Sequence, residues 1–259
     1  MGTTTIQCYT PKMTNAEVRF LGSGDAFCAG GRQQAACLVR TGETVFLLDC
    51  GATALASLKL QGIDNATIET IFLSHLHGDH FAGLPFLFLE YLFETPRRRP
   101  LQICGPPCTQ DRVTQHFATM YRDLAAKPFP FRLEYTELLP QKVEELGSLL
   151  VEPFRVPHQE TEISLGLGIR FDRHSILYSG DTGWTEDLIT HSEETDLFIC
   201  ECSFFETRLP IHLDYPRIWG NHQHFGTSRL VLTHLGREVL EPSNQIELEL
   251  ATDHLIVQL

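Results

Sequence analysis

"IETIFLSHLHGDHFAGLP", residues 68 to 85, decides the reading of this chain. It opens with the apolar, β-branched composition of a buried strand. It then places His75, His77, Asp79 and His80 within six positions. An extended segment points alternate residues to one side, so His75 and His77 share a face, while Asp79 and His80 enter the next helix and turn back toward it. Imidazole nitrogens and a carboxylate are ligands that zinc, manganese and iron accept, and one ion cannot easily take all four from so short a segment. Two ions can. A cluster of surface histidines with no ligand gives no physical reason for the crowding.

Further ligand-type residues follow apolar runs elsewhere: His158 closes "LLVEPFRVPH", Asp181 closes "HSILYSGD" and His234 closes "LVLTH". Each alone reads as a loop polar residue; together with the cluster they supply a dinuclear centre. The surrounding pattern is mixed. "EVRFLGSG", "AACLVRTG" and "ETVFLLDCG" read as strands closed by glycine, "ATALASLKLQG" as a helix, and "IETIFLSH" as the strand that leads into the cluster. Helices are predicted over 80–94 and 108–125, with "PLQICGP" as a strand between them. The second half repeats the order, with strands "LLVEPFRVPH", "SLGLGIRF" and "HSILYSGD", helical "TEDLITHSEET", then strand "DLFICECS". Two strand-rich blocks with helices after their strands predict an α/β (α+β) fold of two mixed sheets packed face to face with helices outside. With no linker between the blocks, the whole of 1–259 is read as one domain.

Composition narrows the function. The 259 residues are 42% hydrophobic and 20% charged, enough to bury a substantial core. No run of about 18 apolar residues occurs and the first 20 residues lack an apolar leader, so the expectation is a soluble cytoplasmic protein with no membrane partner. Eight cysteines without a CxxC pair fit a reducing compartment, and "CGPPC" at 104–108 reads as a turn after a strand. A formal charge of −13 argues against phosphate-backbone binding over the whole surface. The one basic run, "TPRRRP" at 95–100, reads as a solvated loop.

The order HxHxDH, a separate histidine, GDT and a final THLG resembles the metallo-β-lactamase superfamily. Within it, "FLGSGDAF", "LLDCG", "SHLHGDHFAGLP", "VPH" and "LTHLG" most resemble the ribonuclease Z-like phosphodiesterase branch, over nearly the whole chain. The resemblance implies a four-layer αββα sandwich and two divalent metal ions, zinc first, with manganese or iron as alternatives. It implies that His75, His77 and His158 hold one ion, that Asp79, His80 and His234 hold the other, and that Asp181 bridges them. It also implies that Asp79 takes a proton from the attacking water and that a histidine in 203–219 protonates the leaving oxygen; His212 is the best-placed match, with His222 and His224 as rivals. Asp49, ending a buried strand, is expected to orient a metal-bound histidine, and Asp25 to cap a turn. The aromatics of 203–219 fit a flap that stacks on a planar group, or core packing. "PFLFLEYLF" at 85–93 reads as core or as the face of a homodimer.

One departure bears on substrate. Ribonuclease Z proper carries a long tRNA-clamping arm between its third-motif histidine and the GDT aspartate, whereas only 22 residues separate His158 from Asp181. That argues against tRNA and for a small phosphodiester such as a cyclic nucleotide, a cyclic ribose phosphate or a short oligonucleotide. The alternatives are a lactone, thioester or β-lactam hydrolase on the same centre, and an iron-dependent dioxygenase.

Overall fold

A computed structural model describes residues 16–42 and 44–259, and the chain's first cysteine, Cys8, lies outside them. The first sheet is built from β1 (Ala16–Gly22), β2 (Ala36–Thr41), β3 (Thr44–Leu48), β4 (Thr70–Phe72), β5 (Leu101–Gly105) and β6 (Leu133–Glu137). The second carries β7 (Glu144–Leu146), β8 (Leu149–Val156), β9 (Ser164–Phe171), β10 (His174–Tyr178), β11 (Leu197–Glu201), β12 (Leu230–Thr233) and β13 (Glu249–Leu250). β14 (Ile256–Gln258) returns to the first sheet beside β1. The strand orders are 14-1-2-3-4-5-6 and 13-12-11-10-9-8-7, and both sheets are mixed in the same way. Pairs 14-1, 1-2 and 2-3 are antiparallel and 3-4, 4-5 and 5-6 parallel. Pairs 7-8, 8-9 and 9-10 are antiparallel and 10-11, 11-12 and 12-13 parallel.

Why the strands are so uniformly apolar follows from what covers them. In β3, Phe46 and Leu48 enter a layer that also contains Val151, Leu167 and Ile199 of the second sheet, while Val45 and Leu47 face the helical side with Leu84, Phe88 and Phe117. A strand covered on both faces has no polar alternation to show. The first outer layer holds α1 (Ala54–Leu60), α2 (Gly78–Phe81), α3 (Leu84–Phe93), α4 (Thr109–Met120) and α5 (Arg122–Ala125). The second holds α6 (Asp187–Ser192), α7 (Tyr215–Asn221) and α8 (Arg237–Leu240) over Phe198, Cys200 and Leu232. The expected αββα layering is therefore present.

Local differences have local causes. The helix predicted over 80–94 breaks at Gly83, where a Cβ would lie 2.2 Å from the Gly51 carbonyl oxygen, and Gly51 in turn leaves no room for a Cβ beside the Asp79 carbonyl, at 2.4 Å. These two glycines let the loop after β3 press against the histidine cluster. The helix predicted over 108–125 breaks at Tyr121, whose φ is −135°. β6, β7, β13 and β14 were not predicted; they are short or half-exposed edge pieces with little apolar signal. In the basic run, Arg97 is buried over the Tyr91 ring and donates to the carbonyls of Ala66, Arg99 and Pro100. Cys104 is buried, Cys108 is exposed with φ 74°, and both are free thiols. Among the described residues no helix is long and apolar enough to cross a membrane.

Candidate metal centre

All seven ligand-type residues converge where β4, β8, β10 and β12 run out. Two groups take up all seven, His75 with His77 and His158, and Asp79 with His80, Asp181 and His234, with ligand atoms within 4.8 Å of one another; His212 falls within the same distance in two further groups, with His158 and Asp181 and with Glu201 and His234. Asp181 stands between the sets. Its Oδ2 is 3.9 Å from His75 Nε2, 3.8 Å from His158 Nε2 and 3.4 Å from His234 Nε2, and its Oδ1 is 3.3 Å from His80 Nε2. The backbone is bent to make this meeting: His234 adopts φ 54° and Asp49 φ 59°, left-handed conformations that cost a non-glycine residue about 1 kcal/mol or more.

The proton positions show what the centre is built to hold. His80 Nδ1 lies 2.7 Å from Asp49 Oδ2 and must donate to it, so in the neutral ring Nε2 is the bare nitrogen. The Ser74 hydroxyl donates to Asp49 Oδ2 at 2.8 Å, so His75 Nδ1, 3.0 Å away, donates to the serine and its Nε2 is bare too. His158 Nδ1 donates to the Ile211 carbonyl at 2.9 Å, with the same result. His75 Nε2, His80 Nε2 and Asp181 Oδ1 are buried and have no hydrogen-bond partner among the described residues. Buried lone pairs left this way are costly, and cations between them remove the cost. The nitrogen-rich donor set fits two divalent ions. Without a cation, burial opposes charge on His80 but the Asp181 and Asp49 carboxylates push its pKa well above the usual value. Burial, with His80 adjacent, pushes His75 well below it. Asp181 is held well below the carboxylate range, because His234 and His80 outweigh its burial.

Asp49 has the orienting place expected of it. It is fully buried and accepts from the Ser74 amide at 2.7 Å and the Tyr178 hydroxyl at 2.6 Å as well as from His80 and Ser74 Oγ. Asp25 also acts as expected, its Oδ1 accepting from the amides of Phe27 and Ala29.

A cavity of about 440 Å³ opens over the centre, lined by His77, Asp79, His158, Asp181, His212 and His234 at the base and by Phe27, Phe204 and Ile211 above. His212 is thus brought to the site. His222, stacked 4.4 Å from Trp219, and His224, exposed, do not line it. His212 Nδ1 lies 3.0 Å and 3.2 Å from the two oxygens of Glu201, a residue with 1% exposure. Burial disfavours charge on His212, yet the Glu201 hydrogen bond and charge raise its pKa above the usual value. Glu201 was missed in the sequence. The signal was present, since a glutamate closing the apolar run "LFIC" must have a buried partner. Phe27 was also missed, and it is 89% exposed at the mouth of the cavity.

Comparison with known proteins agrees with this geometry. A ribonuclease Z of Mycobacterium marinum is 28% identical over 178 residues, 64% of this chain and 63% of that protein, so the match spans just under two thirds of the curated relative. The metallo-β-lactamase fold protein YhfI of Bacillus subtilis superposes with a TM-score of 0.75 at 21% identity, covering 95% of this chain and 99% of its own. The short form of human tRNase Z gives 0.76 at 24% identity, covering 93% and 98%. These likenesses show the metallo-β-lactamase fold. The family model described as anti-Pycsar protein Apyc1 matches residues 16–253, and this chain belongs to that family.

Proposed function

We propose that the chain is a metal-dependent hydrolase of small phosphodiesters, with cyclic nucleotides, cyclic ribose phosphates and short oligonucleotides as its substrate class. The observation that carries this reading is the Glu201–His212 pair set beside seven converging ligand-type side chains. His75, His77 and His158 would hold one ion and Asp79, His80 and His234 the other, with Asp181 shared; zinc suits this donor set best, and manganese or iron are the alternatives. Divalent ions held there would supply a water-derived nucleophile near neutral pH and neutralise charge on phosphoryl oxygens.

The chain's own residues supply the proton traffic. Asp79 lines the cavity with Oδ2 3.2 Å from His80 Nε2 and 3.3 Å from His234 Nε2, and its carboxylate is placed to accept the proton of the attacking water. His212, with Nδ1 committed to Glu201, exchanges protons through Nε2 and donates to the departing alkoxide. The residues between His158 and Asp181 are used by β9, β10 and their turns, and a cavity of about 440 Å³ suits a small ligand. The ribonuclease Z name of the curated relative supports a phosphodiester over an acyl substrate. Exposed Leu60, Phe86 and Phe93 on α1 and α3 support a homodimer.

The test is an assay of zinc- and manganese-loaded protein against bis-p-nitrophenyl phosphate, with p-nitrophenyl acetate and a simple lactone in parallel and Asp79→Ala as the blank. Diester turnover that disappears in the variant is expected. Lactone or ester hydrolysis without diester turnover would assign the same centre to acyl chemistry.

A further inference from the structure

We infer that Ser203 is a positioning residue shared by two parts of the site, the leaving-group acid and the metal set of Asp79, His80, Asp181 and His234, and that it fixes the protons of both. The inference rests on the hydrolytic reading above. Ser203 is 5% exposed, and its one hydroxyl proton has to be assigned among close neighbours. Glu201 Oε2 lies 2.7 Å from Ser203 Oγ and can only accept, whereas the His234 carbonyl and His212 Nδ1, itself donating to Glu201, are each at 3.4 Å. The proton therefore goes to Glu201.

Two consequences follow from that single proton. His234 Nδ1 is 3.0 Å from the same oxygen and, with the hydroxyl proton already committed, must itself donate. In the neutral ring Nε2 is then the bare nitrogen, 3.3 Å from Asp79 Oδ2 and 3.4 Å from Asp181 Oδ2. Facing two carboxylate oxygens, that nitrogen takes either a proton or a metal cation, and the Nδ1 bond to Ser203 leaves it free for either. Ser203 thus presets His234 as a ligand. The second consequence concerns the acid. With Ser203 on Oε2 and the Thr182 amide on Oε1 at 2.5 Å, the Glu201 carboxylate cannot rotate, and its two oxygens stay in reach of His212 Nδ1. No other side chain among the described residues bonds both Glu201 and His234.

The experiment uses the full chain with Ser203→Ala and Ser203→Thr. One readout is zinc retained per chain in competition with a chelator. The other is turnover at saturating zinc of bis-p-nitrophenyl phosphate, whose leaving group departs without a proton, and of adenosine 3′,5′-cyclic monophosphate, whose leaving alkoxide needs one. Ser203→Ala is expected to hold one of its two ions roughly 10–100-fold more weakly, the usual cost of removing an outer partner of a ligand. At saturating zinc it should lose about tenfold more activity on the cyclic nucleotide than on the p-nitrophenyl diester, within the range of general acid catalysis. Ser203→Thr, which keeps the hydroxyl, should restore both. Unchanged zinc affinity, or equal losses on the two diesters, would overturn the shared role. Should Ser203→Ala fail to fold, Ser203→Cys keeps the volume without the strong hydrogen bonds and carries the same readouts. Wild-type protein that binds zinc but hydrolyses neither diester would instead sink the phosphodiesterase reading, while the zinc titration still decides the His234 half.

Discussion

Asp49 in the first half of the chain and Glu201 in the second hold the histidines of the cavity by the same device. Asp49, just after β3, takes His80 directly at 2.7 Å and His75 through Ser74, with 2.8 Å from serine to carboxylate and 3.0 Å from histidine to serine. Glu201, ending β11, takes His212 directly at 3.0 Å and His234 through Ser203, with 2.7 Å and 3.0 Å for the corresponding steps. What differs is where the far nitrogens go. His75, His80 and His234 turn theirs into the two groups made by the seven ligand-type residues, whereas His212, though near His158 and Asp181, is tied to Glu201 at the cavity wall. A carboxylate behind an imidazole raises the basicity of its far nitrogen. On the proposed hydrolytic reading, that gain would serve ligation where the nitrogen meets a cation and acid catalysis where it meets a leaving group.

The comparison breaks most visibly at Asp49. Asp49→Asn brings N–H groups to a point where four donors already arrive, so at least one buried donor is left unpaired at about 1–3 kcal/mol. Expected are a lower melting temperature and weakened zinc binding in both sets, since His75 belongs to one and His80 to the other; full wild-type zinc affinity would show that Asp49 orients neither. The second half should respond differently. His212→Asn is expected to keep both ions, to lose about 10²–10⁴-fold on diesters with alkoxide leaving groups, and to lose little on p-nitrophenyl diesters. Equal losses on both substrate types would remove His212 from the proton path.

The fold and the convergence of the seven ligand-type residues were legible because both leave marks in the linear pattern. Apolar runs ending in His75, Asp181 or His234 announce a strand and a functional loop together. Asp49 was legible for the same reason, as a carboxylate that stops a buried strand. Glu201 lies at an equivalent place but was read as part of strand "DLFICECS", because its histidine partner is eleven residues away on a turn whose pairing is set only by tertiary contact. Ser203 carries no sequence signal at all, since a serine after a strand is ordinary and its meaning lies in two distances. The edge strands β7 and β13 were hidden because three or two half-buried residues have no period to detect.

The rims of the cavity extend the comparison. Asp25 pins the loop that carries Phe27, accepting from Phe27 N at 3.1 Å and Ala29 N at 3.0 Å. An aromatic ring 89% exposed on a pinned loop beside the cavity is not packed as a core residue, and on the proposed reading it would offer a platform for a planar group. Phe27→Ala should therefore raise KM for a cyclic nucleotide about tenfold, within the ~1–3 kcal/mol of base stacking, and leave kcat and zinc content unchanged. A loss in kcat at constant KM would place Phe27 in loop architecture instead.

Glu238 is the counterpart on the other rim, where Oε2 accepts from the amides of Phe205, Glu206 and Thr207 at 3.3, 3.0 and 2.9 Å and Oε1 from the Thr207 hydroxyl at 2.6 Å. The Thr207 hydroxyl and amide, followed by those of its neighbours, hold the carboxyl down to about 2 from an ordinary 4.5. Because the folded value is the lower one, the stabilisation is complete above about pH 4.5 and is lost as pH falls through about 2. The group is only half-buried and solvent screens it, so the effect is small and local. Hydrogen exchange corrected for intrinsic rates should show the amides of 205–207 losing protection across that window in the wild type, and already unprotected at neutral pH in Glu238→Ala. Protection that is the same in both proteins would mean that Phe204 is held by its pairing with Asp214 alone, and that only the first rim is pinned by a carboxylate.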